Sequence, residues 1–260
     1  MSRELRHLVD RGQAYPLVQL HGVLDAGSAP MVRSLLLDLL AEQPEAVVVD
    51  VAGLSPDGPG ATGVLREVHE ETADWPAAHL ALCGTAETAA WQSTGWPVWP
   101  DRAQAFAALG EPDREHRVSI ELEPAVGAAR RSRELITESC GRWECPELAG
   151  PACIVVTEMV NNVVAHARTS MNVLLATHGD GMSVAVRDRS ATVPSFHGGP
   201  VPVTAYGGRG MLLIDSVATR WGSLRLDGGK VVWALLSDEE AAKTTQRKPN
   251  GASMADPARG

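Results

Sequence analysis

Apolar and polar positions alternate with two different periods along the first 110 residues. Short alternating or β-branched runs predict strands at 15–22, 46–51 and 79–84. Apolar residues at helical spacing predict helices at 27–43, 61–73, 85–94 and 101–110. Ser28 is a candidate N-cap for the first of these helices. Strands alternating with helices favour an α/β domain with a parallel or mixed sheet.

The polar, turn-prone stretch 111–116 predicts a boundary, after which the order of elements changes. A strand is expected at 117–124, followed by two consecutive helices at 125–144 and 149–168. Two alternating segments joined by a "GDG" turn, a Gly- and Pro-rich loop, a helix and a hairpin with "DGG" at its turn fill 171–236. These elements predict an α/β sandwich. We therefore expect domains at 1–113 and 114–237, with a disordered polar tail at 238–260.

Composition and charge narrow the class of protein. The chain has 260 residues, of which 44% are hydrophobic and 21% charged, which is typical of globular proteins. A net charge of −9 argues against direct nucleic-acid binding, but an anionic small ligand can still be held by backbone N–H groups and an arginine. The N-terminus lacks the apolar core of a signal peptide, and no apolar run reaches the roughly 18 residues of a membrane helix. A cytoplasmic protein without a membrane segment is expected.

The helix predicted at 149–168 carries three polar residues among apolar neighbours. Glu158, Asn162 and His166 recur every four residues. Each such step advances a helix by about 400°, so the three side chains lie on one narrow stripe. A carboxylate, an amide and an imidazole are costly to bury without partners. The stripe indicates either a solvated helix face or a polar pocket.

Two further features come after this helix in the sequence. Asp188 ends a predicted strand, where a carboxylate can accept a hydrogen bond from an exocyclic amine such as that of a purine. The "GGRG" stretch at 207–210 precedes an amphipathic helix, whose N-terminus offers free N–H groups and the positive end of its dipole to a phosphate. A flexible turn before a helix explains "GGRG" equally well when that stretch is taken alone.

The order and spacing of these features resemble the GHKL (Bergerat-type) family of ATP-binding domains. They look most like the anti-sigma-factor serine kinases and their actinobacterial relatives. "TEMVNNVVAHA" matches the asparagine motif of the family, and "VRDRSA" stands where its first glycine motif would be. "GGRGMLLIDSVATRWG" and "GGKVVWALL" match the second glycine motif and the closing hairpin. The resemblance covers about 117–237.

The resemblance implies a role for each matching residue. Asn162 would hold Mg²⁺ bridging the phosphates of ATP, and Asp188 would accept from the adenine amino group. Glu158 would be the catalytic general base, and His166 would order the helix end or the lid. The phosphate end would be lined by Gly208, Arg209 and Gly210, with the loop 189–207 as a short lid.

Two departures from the family pattern bear on these expectations. The first glycine motif usually has glycines after its aspartate, whereas Arg189, Ser190 and Ala191 follow Asp188 here. The closing hairpin often has threonine after "GK", whereas this chain has Val231. The second departure predicts the loss of a hydroxyl near the adenine.

Residues 14–110 resemble a STAS domain, the fold of anti-anti-sigma factors. The stretch "AVVVDVAGLSPDGPGATGVL" carries this resemblance as a strand, an Asp-containing loop and a helix start. Signalling members have a phosphate-accepting serine in this loop, but Asp57, Gly58, Pro59 and Gly60 provide no hydroxyl. Thr62 could take that place only with a shifted alignment. A degenerate STAS module is expected, which binds a partner or docks on its own kinase domain.

Two functions are compatible with the sequence. The first is a regulatory serine/threonine kinase that uses ATP and Mg²⁺ to phosphorylate a STAS-type anti-anti-sigma protein in a partner-switching pathway and also binds a sigma factor. The second is a non-catalytic, nucleotide-gated switch or scaffold. A homodimer is compatible with either function. Histidine kinases and gyrase-type ATPases are expected to fit less well. The first half does not follow the pattern of a helical hairpin, and only about 23 residues follow the last predicted strand, where a gyrase-type ATPase would have a transducer domain.

Overall fold

The computed structural model describes residues 4–42, 44–58, 60–73, 75, 79–84, 91, 94–190 and 209–237. These residues form two five-stranded sheets, one from each half of the chain. The α/β fold class that the sequence predicts is therefore confirmed. The predicted helix at 85–94, apart from Trp91 and Thr94, lies outside the described residues. So do all but the start of the lid loop and the tail at 238–260.

The first sheet is mixed, and its strands lie in chain order. Its first strand is antiparallel to the second, and the other neighbours are parallel. The strands are β1 Arg6–Asp10, β2 Leu17–Leu24, β3 Ala46–Pro56, β4 His79–Cys83 and β5 Val98–Trp99. The described helices of this half are α1 Ala29–Leu40, α2 Gly63–Thr72 and α3 Arg102–Leu109. The sequence pattern missed β1 and β5, which with five and two residues are too short for a reliable alternation.

Ser28 occupies the N-cap position of α1, as expected, but its hydroxyl does not cap the helix. The Oγ atom instead accepts from the backbone N–H of Asp25 at 2.9 Å and donates to the carbonyl of Val23 at 3.1 Å. The Asp25 carboxylate in turn accepts from the N–H groups of Gly27 and Ser28, both at 2.9 Å. The loop before α1 is thus closed by its own side chains.

The second sheet is antiparallel, with the order β6-β7-β8-β10-β9. Its strands are β6 Arg117–Leu122, β7 Met171–His178, β8 Gly181–Asp188, β9 Arg220–Leu226 and β10 Gly229–Leu236. The described helices of this half are α4 Ala128–Arg142, α5 Pro146–Asn162 and α6 Arg209–Val217. All three helices pack on one face of the sheet around a core that includes Ile136, Val155 and Ile214. This arrangement is the predicted α/β sandwich.

The other face of the second sheet, here called the back face, packs against helices α1 and α2. Leu224, Val231 and Trp233 on this face belong to the same buried core as Leu36 of α1 and Leu65 of α2. The indole ring of Trp75, just after α2, meets that of Trp233 edge to face, with 5.9 Å between the ring centroids. Helices α1 and α2 therefore lie between the two sheets and are buried against both.

Successive side chains of β3 point to opposite faces of the first sheet, so the sheet packs against a core on each face. Val47 and Val49 face the core shared with α1 and α2, whereas Val48 faces a smaller core with Ala105 of α3. The layers therefore run α3, first sheet, α1–α2, second sheet and α4–α6. The predicted boundary at 113/114 falls between α3 and β6, but the two halves share a core across it. Their separation into independent domains stays a prediction.

Among the described residues, the segment Pro146–Ala167 is long and apolar enough to cross a membrane by length and composition alone. It packs against α4, α6 and the second sheet, and Leu148, Ala152 and Val156 are buried in that core. A helix that lies between a sheet and two other helices is apolar around much of its circumference. Its place in the core therefore accounts for its composition.

Candidate nucleotide site

Helix α5 positions the first two residues of the polar stripe. Glu158 and Asn162 are both half-buried and lie one turn apart, near the end of the helix. The neighbouring residues Val155, Met159 and Val163 are buried in the core beneath the helix. The predicted stripe is therefore present for these two side chains.

His166 does not continue the stripe in α-helical geometry. A π-helical turn at Val163–Ala167 follows α5, and the N–H of Arg168 donates to the carbonyl of Val163 at 2.7 Å. Arg168 ends this turn in the left-handed region, with φ of 55°. An extra residue in the turn displaces the subsequent side chains from the four-residue spacing of an α-helix. His166 is accordingly exposed, and the prediction of one α-helix through 168 was wrong.

The first turn of α6 approaches the stripe closely. A Cβ atom added to Gly210 would lie 2.6 Å from Oε2 of Glu158, which is closer than real Cβ contacts come. The Nδ2 atom of Asn162 donates to Sδ of Met211 at 3.9 Å. Glycine at 210 thus permits the helix start and the two polar side chains to meet.

Two other residues expected at the phosphate end are less fully described. Arg209 begins α6, but its side chain lies outside the described part of the structure, as does the whole of Gly208. The position of Arg209 at the helix start still places the first N–H groups of α6 beside Glu158 and Asn162. These groups have no partner within the helix, and the positive end of the helix dipole lies there.

Asp188 ends the central strand of the sheet, and its carboxylate is engaged by a lysine that the sequence reasoning missed. Its side chain is 2% exposed. The ammonium group of Lys230 lies 2.8 Å from Oδ2 and 3.1 Å from Oδ1, and the N–H of Ser190 donates to Oδ1 at 2.7 Å. The same ammonium group donates to the carbonyl of Ser190 at 3.4 Å. The signal that could have found this pair is a lysine inside the apolar run of a closing strand.

Strand register explains why Lys230 meets Asp188. Residue 230 of β10 is directly opposite residue 188 of β8. Gly229 before it has φ of +148°, and a Cβ there would lie 2.0 Å from the carbonyl oxygen of Asp188. Glycine at 229 therefore allows the hairpin to close tightly on the end of β8.

The sequence predicts that valine at 231 removes a hydroxyl near the adenine, and this strand register does not agree with that prediction. Val231 is opposite Arg187 and is buried in the core of the back face, whereas Lys230 and Asp188 lie on the helix face. Successive residues of a strand point to opposite faces. A hydroxyl at 231 would therefore face α1 and α2 rather than an adenine near Asp188.

The residues present are compatible with ATP and Mg²⁺. No group of three or more His, Cys, Asp or Glu side chains that could hold a metal occurs in the part of the chain that the structure describes. Mg²⁺ does not require such a group, because it usually keeps several waters and takes few protein ligands besides phosphate oxygens. The amide of Asn162 supplies an oxygen of the kind that Mg²⁺ prefers, beside a helix start suited to phosphate.

An open cleft of about 520 Å³ lies on the back face and reaches the strand end that carries Asp188. It is lined by the end of α1 and by polar residues of the second sheet, including Glu42, Asn172 and Arg187. Charged side chains along it are paired within the chain: Arg187 with Asp38 at 2.7 Å and Glu42 with Arg11. The cleft is therefore a gap at the rim of the contact between the two halves.

The loop after β3 in the first half lacks a hydroxyl at the expected acceptor position. Asp57 follows β3 and donates its N–H to the carbonyl of Leu24 at 2.9 Å, and Gly58 adopts φ of +97°. Thr62 is the N-cap of α2 but makes no side-chain capping bond. Pro59 lies outside the described residues.

Comparisons with solved structures give distant likenesses. An anti-sigma factor antagonist from Mycobacterium paratuberculosis is 20% identical, with a TM-score of 0.35, and the match covers 42% of this chain and 96% of that one. The RsbU and RsbW domains of a Mycobacterium tuberculosis protein are 18% identical, with a TM-score of 0.35. That match covers 46% of this chain, which spans about a third (32%) of the other. The antagonist SpoIIAA in its unphosphorylated form is 14% identical, with a TM-score of 0.33, over 40% of this chain and 96% of that one.

No curated protein is similar enough to match the chain. The family model of the histidine kinase-like ATPase domain matches residues 122–236. This range runs from the end of β6 to the end of β10 and includes the stripe on α5, Asp188 and the start of α6. Residues 122–236 of this chain are therefore similar to the histidine kinase-like ATPase domain.

Proposed function

We propose that the chain is an ATP-binding regulator of the anti-sigma-factor type that acts as a protein serine/threonine kinase. One observation carries this proposal: Glu158 and Asn162 meet the first turn of α6, where Gly210 leaves no room for a side chain. A carboxylate, an amide and the first N–H groups of a helix then lie together at one end of the domain. Such a group can bind phosphates and take up a proton.

The proposed reaction is phosphoryl transfer to a hydroxyl group of a protein. The hydroxyl oxygen bonds to the γ-phosphorus of ATP, the bond to the β–γ bridging oxygen breaks, and ADP leaves. The hydroxyl proton passes to the Glu158 carboxylate. When bound, Mg²⁺ neutralises charge on the phosphate oxygens, and Asn162 is the residue that would hold it.

The substrate class is inferred from the resemblances of the two halves. The first half resembles a STAS domain without an acceptor hydroxyl, so the acceptor is proposed to be a serine or threonine on a separate STAS-type protein. A sigma factor is the proposed second partner, as in partner-switching pathways. His166 is exposed at the end of the π-helical turn and is proposed to order the lid.

Transfer from labelled ATP to candidate STAS-type proteins tests this function. We expect Mg²⁺-dependent labelling that falls by at least about a hundredfold in Glu158→Ala, because a positioned general base contributes roughly 10²- to 10⁴-fold. Asn162→Ala should abolish the Mg²⁺ dependence of ATP binding. The matched control is Glu138→Ala, an exposed carboxylate on α4. Labelling that is unchanged in Glu158→Ala would contradict the kinase.

A nucleotide-gated switch is the second candidate, and the back-face contact favours it. Helices α1 and α2 are buried against the ATPase domain, so the first half is already docked within its own chain. A switch of this kind would bind ATP and change its affinity for a partner without transferring phosphate. Partner binding that depends on ATP and survives in Glu158→Gln would identify it.

A further inference from the structure

Asp188 and Lys230 form a buried ion pair where β8 and β10 meet at one end of the second sheet. Both side chains are buried, with 2% and 7% exposure. A buried ammonium group and a buried carboxylate each need a partner, and here they compensate each other. The ammonium group of Lys230 also donates a hydrogen bond to the carbonyl of Ser190, so two partners hold it in place.

The pair determines which hydrogen bonds Asp188 can make. An ionised carboxylate accepts hydrogen bonds and donates none, with about four lone-pair sites on its two oxygens. Donors among the described residues use three of these sites: Oδ1 accepts from Ser190 N–H and from Lys230, and Oδ2 accepts from Lys230. With respect to those residues, Oδ2 retains acceptor capacity for one more donor.

The chemistry of the purine ring supplies the matching group. Adenine carries an amino group at position 6, which donates, whereas guanine and hypoxanthine carry an oxygen there, which accepts. An acceptor that faces an acceptor leaves both unpaired, which is costly in a buried site. A carboxylate that is held in place as an acceptor therefore discriminates between the two kinds of base.

We infer that Lys230 is a specificity-determining positioning residue of the nucleotide site, which holds Asp188 as an acceptor and so selects 6-aminopurine over 6-oxopurine nucleotides. This inference rests on the proposed ATP site. Lys230 acts through Asp188 and is not itself a catalytic residue. Its removal leaves a buried carboxylate without a counter-ion and without the contact that fixes its two oxygens in place.

The test compares ATP with ITP, because the two nucleotides differ at purine position 6. Dissociation constants are measured by calorimetry with Mg²⁺ on the full chain. We expect the unaltered protein to prefer ATP by about a hundredfold, and Lys230→Met to lower this preference to about tenfold or less. The matched control is Arg225→Met, which removes an exposed cation directly opposite Lys230 on β9, a strand that does not pair with β8.

A double variant guards against misfolding of the single one. Asp188→Asn with Lys230→Met removes both buried charges, so no charge is left without a partner. We expect it to bind ATP and ITP with similar affinity, since an amide can donate or accept. An ATP preference in Lys230→Met equal to that of the unaltered protein would overturn the inference while leaving ATP binding intact. An unaltered protein that binds neither nucleotide would overturn the proposed function as well.

Discussion

The two faces of the second sheet carry an ion pair each at the same strand end, and the pairs differ in kind. On the helix face, Asp188 and Lys230 are buried and lie opposite each other on the antiparallel strands β8 and β10. On the back face, Arg187 reaches Asp38 of α1 at 2.7 Å, and these side chains are 28% and 38% exposed. Residues 187 and 188 are consecutive, so one residue step separates a buried pair from a solvated one.

The two pairs contribute differently to the protein because their burial differs. Removal of one partner from a buried pair costs about 3–5 kcal/mol, because a charge is left without compensation. A pair with water around it contributes about 0–1 kcal/mol. Loss of one partner should therefore cost more stability at the helix-face pair than at the back-face pair, which adds little to the apolar contact around Trp233 and α1. The stability of the contact between the halves should come from its buried apolar residues.

That apolar contact should be the most sensitive to substitution. Trp233→Ala removes a ring that is 5% exposed and contacts Trp75, so we expect a loss of about 3–5 kcal/mol in the free energy of unfolding. Chemical denaturation measures this loss. Hydrogen exchange should also accelerate in α1, since α1 belongs to the same core.

The control is Val232→Ala, on the same strand but facing the core with α5. It should loosen the α4–α6 side and leave exchange in α1 close to that of the unaltered protein. If Trp233→Ala left α1 equally protected, the two halves would not share a core.

An intermediate effect is expected at the tip of the hairpin. Gly229→Ala forces a Cβ to within 2.0 Å of the Asp188 carbonyl at φ of +148°, so we expect a loss of about 2 kcal/mol and a weakened Asp188–Lys230 pair. Gly228→Ala is the matched control, since a Cβ there meets nothing within 4 Å. Thermal unfolding of both variants measures the difference. Equal melting temperatures for the two variants would contradict the tight closure.

The back-face pair should respond least, and its response should depend on pH. Burial raises the pKa of Asp38, Arg187 opposes this shift, and Asp227 and Glu42 add to it. A carboxyl group whose pKa is raised on folding contributes stability below its unfolded pKa, and this contribution is lost as pH rises through the folded pKa. As pH rises from about 3 to about 6, the unaltered protein should therefore lose stability relative to Asp38→Asn, by roughly 0.5 kcal/mol after solvent screening.

Denaturation curves at several pH values measure how the difference in free energy of unfolding between Asp38→Asn and the unaltered protein changes with pH. Glu71→Gln serves as the control, because Glu71 pairs with Arg33 inside the first half. An opposite slope for Asp38→Asn would mean that Arg187 outweighs burial at this carboxyl group.

The sequence predicted secondary structure most reliably in long elements, where the spacing of apolar residues recurs over several turns. The stripe of Glu158 and Asn162 was predictable because both lie within one regular helix of 17 residues. His166 was misplaced because a π-helical turn leaves no clear mark in the spacing of apolar residues. Short edge strands such as β1 failed for a related reason, since five residues give few alternations to count.

Local sequence was sufficient to predict the two-part α/β organisation, the helix that carries Glu158 and Asn162, and the place of Asp188 at a strand end. These features depend on periodicity and on residue type, which each segment carries by itself. Three contacts became visible only in the folded chain: Lys230 faces Asp188, Val231 faces away, and α1 and α2 cover the back face. Strand register and packing between distant segments set those contacts, and neither is encoded in the period of any one segment.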